Sequence, residues 1–255
     1  MDTIIRAIIV RDLQNLGLAS GDTVLVHSSL SALGQVESGA ETVIDALLDV
    51  IGINGTLLMP SFQKGGEHDL VSHGCVFDLR TSVSEMGLIT ETYRRRPGVL
   101  RSLSPTHCTA GFGPRAADLL KDHQACDVSV GKNSPYDKLV RADGRILLLG
   151  VTHSNNTTLH LVENINGAPT VCCALFKPTV VDTEGRSWIV PTYPHMPGLR
   201  RQYTRVEPEL LALGIQVNGR VGQAESRLIK AHPMAETIGR RIRENPLYLC
   251  SVFTP

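Results

Sequence analysis

Residues 150–163, Gly-Val-Thr-His-Ser-Asn-Asn-Thr-Thr-Leu-His-Leu-Val-Glu, carry a histidine and a carboxylate at a spacing fit for proton transfer. His160 and Glu163 stand three residues apart, which a helix places on one face. A positioned imidazole takes up a proton near neutral pH, and a carboxylate one turn away can orient it and stabilise its cation. Glu163 has a second use open to it, contact with a substrate ammonium. The Ser, Asn and Thr residues before His160 are the types that cap helix starts. They follow residues 145–149, an apolar run short enough for a buried strand. The pair thus falls in the first turns of a helix leaving a core strand. In α/β sheets, ligands bind in the crevice beyond such strand ends.

Other elements must hold this segment in place. Residues 4–17 carry apolar positions at helical spacing and stop at Gly17, a natural C-cap. Residues 22–27 read as a strand, followed by the small polar turn Ser28-Ser29-Leu30-Ser31. Residues 40–51 form an amphipathic helix, and residues 56–60 a second core strand with Pro60 at its margin. Residues 61–84 are aperiodic and read as a long functional loop. Asp69, His73, Cys75 and Asp78 within it have metal-ligand types but no spacing that defines a site. Helix resumes over 84–96, and the small residues of 101–113 would let backbone approach a ligand. Pro114 is expected to start a helix. Residues 170–192 are β-rich, with Cys172-Cys173 suited to a buried strand, and a Pro-rich elbow follows at 191–197. Helices are expected near 206–214, 223–231 and 235–243, then a terminal strand at 247–253. Strands alternating with helices argue an α/β class. No linker divides the chain, so residues 1–255 are read as a single domain with elaborations around 61–84 and 190–205.

Composition narrows the function classes. With 25 Lys plus Arg against 25 Asp plus Glu, no overall field attracts nucleic acid or an anionic membrane. The run Arg94-Arg95-Arg96 reads as a solvated helix end complementing the dipole, with phosphate binding as the alternative. No 18-residue apolar run is present, and residues 1–6 lack a signal peptide's charged start and apolar centre. A cytoplasmic location is the expectation. Six cysteines without a C-x-x-C pair suggest free thiols rather than zinc or a disulfide framework.

Four segments together carry a resemblance. They are residues 27–34 (HSSLSALG), residues 55–61 (GTLLMPS), Ser134-Pro135, and the run LLLG of 147–150 continued to Glu163. In order and spacing they resemble the aminoglycoside 3-N-acetyltransferase (antibiotic N-acetyltransferase) family. The resemblance implies that family's α/β fold, a central mixed sheet flanked by helices and distinct from the GNAT fold. It implies acetyl-coenzyme A as cosubstrate without a metal, and a small amino-sugar acceptor taken up by a monomer or homodimer. It makes His160 the catalytic histidine, with Glu163 beside it. It assigns the coenzyme A cleft to His27, Ser28, Ser29, Leu30 and Ser31 and to Ser102, Ser104, His107, Cys108 and Thr109. On the acceptor side it points to Glu67, Asp69, His153, Asn155, His195 and Arg200. His153 has loop structure as its other reading. Direct transfer needs no enzyme nucleophile. A Cys108–His107 nucleophile pair is disfavoured, since neighbours on an extended segment point to opposite sides. The oxyanion donors would be backbone N–H groups of the small-residue loops.

The chain departs from the family pattern in two places. Ser104-Pro105 stands where many members read His-Pro, and residues 190–201 contain no Asp or Glu. That second region offers His195, Arg200 and Arg201 instead, although polycationic antibiotics call for complementary carboxylates. The expected acceptor is therefore an amino sugar with fewer charges, bearing a carboxylate that an Arg can bind bidentately. Kasugamycin fits, and the resemblance extends to a kasugamycin 2'-N-acetyltransferase branch. Two other readings stand beside it, a biosynthetic N-acetyltransferase of the same fold acting on an anionic amine, and a non-catalytic coenzyme A-binding homologue.

Overall fold

Two short runs, Thr23–Ser28 and Arg145–Leu149, are apolar on both faces and pair in parallel at the centre of the molecule. A computed structural model describes residues 3–251. In chain order the elements are α1 (Arg6–Leu16), β1 (Thr23–Ser28), α2 (Ala40–Ile51), β2 (Thr56–Pro60), α3 (Glu67–Ser72), β3 (Val76–Asp78) and α4 (Leu88–Arg94). There follow β4 (Leu100–Arg101), β5 (Thr109–Phe112), α5 (Ala116–Leu120), α6 (Pro135–Arg141), β6 (Arg145–Leu149) and α7 (Thr158–Ile165). The chain continues through β7 (Thr179–Val181), β8 (Ser187–Ile189), α8 (Glu207–Ala212), β9 (Gln216–Val221), β10 (Ala224–Lys230) and α9 (Ala231–Glu244).

Seven strands form one mixed sheet in the order β4-β5-β2-β1-β6-β10-β9. The middle trio β2, β1 and β6 is parallel, and antiparallel pairs close both flanks. Alternation along the central strands divides the core. Val24, Val26, Leu147 and Leu149 face a layer built on Ile9, Leu13, Val43 and Leu47 of α1 and α2. Leu25, Ile146 and Leu148 face the other layer, with Leu139, Leu161 and Ile238 of α6, α7 and α9. Each such Leu or Ile contributes about 1.5–3 kcal/mol by leaving water. Parallel register sets His27 opposite Leu148 and Ser28 opposite Leu149, so the turn after β1 and the loop after β6 emerge side by side.

Several sequence expectations change here. Residues 61–84 are not wholly a loop, for they hold the six-residue α3 and the three-residue β3, both too short to show a period. β3 joins β7 and β8 in a separate three-stranded sheet. The expected helix at 223–231 is strand β10, because pairing with β6 on one side and β9 on the other outweighs the local helical preference of Ala-Glu-Ser-Arg-Leu-Ile-Lys. The helix expected from residue 84 begins only at Leu88, after Gly87, and α5 starts at Ala116 rather than at Pro114. Cys173 is exposed and Cys172 half-buried, next to an isolated bridge at Val171, so no buried strand runs there. Of the expected terminal strand, residues 247–251 show only a bridge from Cys250 to Arg201, while residues 252 and 253 lie outside the described ones. Helix α6 went unread, though Ser134 caps it through the Asp137 N–H and Pro135 occupies its first turn. Among the described residues no helix is long and apolar enough to cross a membrane, and every cysteine is a free thiol.

The basic run at the end of α4 is engaged by the protein itself. Arg94 and Arg95 pair with Glu91, and Arg96 pairs with Glu41 and Asp45 of α2.

Gly150 is the hinge between β6 and the segment that carries the chemistry. Its φ of 70° is left-handed, and a Cβ there would lie 2.7 Å from the Ala32 side chain. Backbone strain and the clash each cost about 1–3 kcal/mol. At about 2 °C per kcal/mol for a chain of this length, Gly150→Ala is therefore expected to lower Tm by roughly 4–12 °C in a thermal scan; an unchanged Tm would remove this constraint.

Candidate active site

Helix α7 begins where the polar loop turns back on itself. Thr152 accepts a hydrogen bond from the Ser154 N–H, and Asn156 Oδ1 accepts one from the Thr158 N–H at 3.2 Å. These side chains satisfy donors that the helix start leaves open. His160 and Glu163 then fall on one face, with Nδ1 3.3 Å from Glu163 Oε2. Tyr203 joins them from 40 residues beyond Glu163. Its hydroxyl donates to Glu163 Oε2 at 2.7 Å and lies 2.8 Å from His160 Nδ1.

This geometry fixes the tautomer of His160. The Tyr203 proton goes to the carboxylate, so toward His160 the hydroxyl oxygen accepts, and Nδ1 carries the ring proton. Nε2 is left with its lone pair. Burial alone would raise the Glu163 pKa, but hydrogen bonds from His160 and Tyr203 and the nearby Arg201 guanidinium hold it below the ordinary value. Arg201 Nε lies 3.6 Å from Glu163 Oε2, and the Cys250 thiol lies 3.7 Å from Oε1. Burial, reinforced by His195 and Arg201, pushes the His160 pKa down to about 3 despite Glu163. The ring therefore stands neutral at ordinary pH.

A second carboxylate–histidine pair backs the first. The His195 ring packs 4.2 Å from the His160 ring, centroid to centroid. Its Nδ1 donates to Glu67 Oε2 at 2.5 Å, and its backbone N–H reaches the same oxygen at 2.8 Å. Asn164 Nδ2 lies 3.1 Å from His195 Nε2 on the other side of the ring. Glu67 Oε1 accepts from Thr106 Oγ1 at 2.7 Å and from the Ser129 hydroxyl, which also bonds His107 Nδ1 at 2.9 Å. Burial would raise the Glu67 pKa; the charge and hydrogen bonds of His107 and His195 hold it well below the usual range. Glu67, His107 and His195 bring metal-ligating atoms within 4.8 Å of one another, but hydrogen bonds already occupy both carboxylate oxygens.

His160 stands where two cavities meet. One, of about 240 Å³, is lined by His27, Ser28, Phe62, Met86, Asn155 and Tyr203 among others. Through Ser28 and Asn155 it opens into a groove of about 720 Å³ along Ser29, Leu30, Ser31 and Gly39, at the start of α2. The other, of about 260 Å³, lies on the far side of His160 against Asp69, His195, Met196 and Arg201. Phe62 and His107 line both smaller cavities.

The residues expected from sequence sort themselves along this passage. His160 and Glu163 come together, and His27, Ser28, Ser29, Leu30 and Ser31 line the groove side. His107 reaches both cavities, whereas Ser102, Ser104, Cys108 and Thr109, expected beside it, line none of those described. They are buried in and before β5: Ser102 Oγ accepts from Thr109 N and bonds His123, and Ser104 Oγ accepts from His107 N. Burial also raises the Cys108 thiol pKa, leaving no thiolate for catalysis. His153, placed on the acceptor side, is buried and bonded through Nε2 to Gln216 and through Nδ1 to Asn156. Asn155 lines the groove and the cavity that adjoins it, not the cavity against Asp69 and His195. Arg200 is exposed, and its neighbour Arg201 lines the cavity instead. Glu67 is sealed inside its hydrogen-bond network, so Asp69, with a side chain 74% exposed, is the acid left open on that side. Tyr203, Ser129 and Asn164 had no signal in the sequence, since each acts only through a distant partner.

The family model described as aminoglycoside 3-N-acetyltransferase matches residues 25–242. The chain is 30% identical over 253 residues to aminoglycoside N(3)-acetyltransferase IX of Micromonospora chalcea, covering 90% of each. Its structure superposes on AAC-IIIb in a binary complex with CoASH at a TM-score of 0.84, with 27% identity and all of both chains covered. It also superposes on a histidine-to-alanine mutant of aminoglycoside acetyltransferase AAC(3)-IVa in complex with a gentamicin. There the TM-score is 0.83 at 28% identity, covering 98% of this chain and 92% of the other.

The Glu67 network makes stability depend on acid. A carboxylate whose folded pKa is depressed stabilises fully above its unfolded pKa of about 4.3, and that contribution fades as pH falls through the folded value. Glu67→Gln removes the titrating group. Its unfolding free energy is expected to lie below wild type at pH 7, with the gap closing as pH is lowered below about 4. Parallel stability curves over that range in urea titrations would show that Glu67 carries no such linkage.

Proposed function

The chain belongs to the aminoglycoside 3-N-acetyltransferase family, and on that footing we propose that it moves acetyl directly from acetyl-coenzyme A to an amine of an aminoglycoside-type sugar, with His160 as general base. One observation carries the reading: His160, with its tautomer set by Tyr203 and Glu163, occupies the junction between the groove and the acceptor cavity. A donor thioester entering from the groove and an amine entering from the other side meet at its Nε2. The relative bound to CoASH supports the first occupant, and the gentamicin-bound relative the second.

The chemistry follows from that placement. As the amine attacks the thioester carbonyl, Nε2 accepts its proton and the new C–N bond forms. The tetrahedral intermediate then collapses, the C–S bond breaks, and the imidazolium returns the proton to the departing sulfur. Burial disfavours the imidazolium, and the Tyr203–Glu163 chain offsets this by placing a carboxylate behind Nδ1. Cys108 is buried and protonated, in keeping with transfer that uses no enzyme nucleophile.

The acceptor cavity favours an amino sugar of low positive charge. Glu67, the buried carboxylate at its wall, is committed to His195 and to hydroxyl donors, and Arg201 adds a positive charge to the lining, its Nε 3.6 Å from Glu163. Such a wall suits an acceptor bearing a carboxylate, of which kasugamycin is an example. A resistance role follows for a drug-modifying enzyme, tested by whether the gene protects growing cells. The engaged Arg94–Arg96 run gives no support to a phosphate-bearing biosynthetic acceptor.

Thiol release from acetyl-coenzyme A with kasugamycin, gentamicin and apramycin tests the acceptor; turnover of gentamicin with none of kasugamycin overturns the low-charge reading. His160→Ala is expected to lower kcat by about 10²-fold or more while coenzyme A binding persists. If kcat stays at the wild-type level, the base lies elsewhere. Tyr203→Phe keeps the ring in place but deletes one charge-assisted hydrogen bond. It should lower kcat roughly tenfold, about 1.4 kcal/mol, with KM for acetyl-coenzyme A little changed. Loss confined to KM would place Tyr203 in cofactor binding instead.

A further inference from the structure

His27 is the buried histidine that the chain leaves unfinished. Buried histidines normally find partners for their ring nitrogens, and others in this protein do. His123 bonds Ser102 through Nδ1 at 2.8 Å and the Ser129 carbonyl through Nε2 at 2.7 Å. His153 is held by Asn156 and Gln216, and His195 by Glu67 and Asn164. His27 Nε2, by contrast, is shut from solvent with no hydrogen-bond partner among the described residues. An unpaired buried polar group costs about 1–3 kcal/mol. Position makes this one informative. His27 sits at the carboxyl end of β1, in register with Leu148 of β6, and is among the residues that line the same cavity as His160.

Charge narrows the role. Burial lowers the His27 pKa to about 4, and no carboxylate among the described residues pairs with it, so the ring is neutral and has no support for becoming a cation. A second general base is thereby disfavoured. A neutral imidazole keeps one N–H, a donor that a water-excluding pocket can aim at developing negative charge.

We infer that His27 is a catalytic residue: when acetyl-coenzyme A fills the cavity its ring turns the free N–H toward the thioester and donates to the acyl oxygen, stabilising the oxyanion formed when the amine attacks. The inference rests on the acetyl-transfer reading above. In the step concerned, the amine lone pair forms the C–N bond and the carbonyl π electrons move onto oxygen, where His27 meets them. On collapse the C=O bond re-forms, the C–S bond breaks, and sulfur takes its proton from the His160 imidazolium. His27 gains and loses no proton. It supplies one donor of the oxyanion site, beside backbone N–H groups of the surrounding turns.

The test separates binding from chemistry. His27→Phe preserves a flat buried ring and deletes the donor. Expected is a fall in kcat of about 10²–10³-fold. Affinity for free coenzyme A, which has no acyl oxygen, should stay within about threefold of wild type by calorimetry. His27→Asn restores an N–H and is expected to recover at least about tenfold of the loss, with the pH profile of kcat unchanged. A kcat within about twofold of wild type in His27→Phe overturns the inference, as does a coenzyme A affinity that falls in step with kcat. If the phenylalanine variant does not fold, His27→Asn against His27→Leu makes the same comparison. Absence of thiol release from the wild-type chain with every acceptor would count against acetyl transfer itself, whereas full wild-type turnover with an undiminished His27→Phe counts against His27 alone.

Discussion

A carboxylate with no exposed surface, Glu163, governs the arrangement around it. Isolating such a charge from water costs several kcal/mol, so it persists only where donors and an opposite charge surround it. Tyr203 supplies the shortest donor, His160 a second, and Arg201 the compensating charge. Each of these gives up freedom in doing so. Tyr203 cannot turn away without orphaning the carboxylate, and His160 cannot present Nδ1 to the cavity while Tyr203 holds it. The need to satisfy one buried acid thus selects the imidazole tautomer that the proposed base would use. In the proposed transfer the same acid would balance the imidazolium.

Glu67 repeats the solution on the acceptor side, with different partners and a different outcome. Its donors, from Thr106, Ser129 and the ring and backbone of His195, lock His195 against His160 and stiffen the segment after residue 190 that lines the acceptor cavity. Because both acids are committed inward, the cavity presents Asp69, Arg201 and histidine rings rather than a row of open carboxylates. The deficit of acids over residues 190–201 is therefore an electrostatic property of the site and not a local gap in the chain. Complementarity between such a wall and an acceptor of low positive charge is the ground on which that acceptor is proposed.

Much of the central frame was legible in the chain. Strands β1, β2 and β6 announce themselves as short apolar runs, and α2 as a periodic segment bounded by glycines, because burial on both faces or on one stripe leaves a local pattern. The β9–β10 hairpin was not. Its residues 224–230 are compatible with a helix, and only pairing with β6 and β9 settles the matter. Residues 61–84 failed for a related reason: α3 and β3 are shorter than the window that periodicity needs. Of the residues expected in the cleft over 102–109 only His107 reaches either cavity beside His160, because small polar side chains suit a ligand-facing turn and a buried strand equally well. Here Ser102 and Ser104 direct their hydroxyls to backbone N–H groups.

By itself the sequence determined the pairing of His160 with Glu163, since three residues on a helix are neighbours whatever surrounds them. It also determined that this helix leaves a core strand, whereas the place of the serine turn beside it comes from the parallel pairing of β1 with β6. Tertiary structure decided which proton each histidine carries. That choice depends on Tyr203, 43 residues from His160, and on Glu67, 128 residues from His195. No local pattern encodes contacts across such distances. They exist because folding buries two carboxylates, and each buried charge must gather its partners from wherever the chain brings them near.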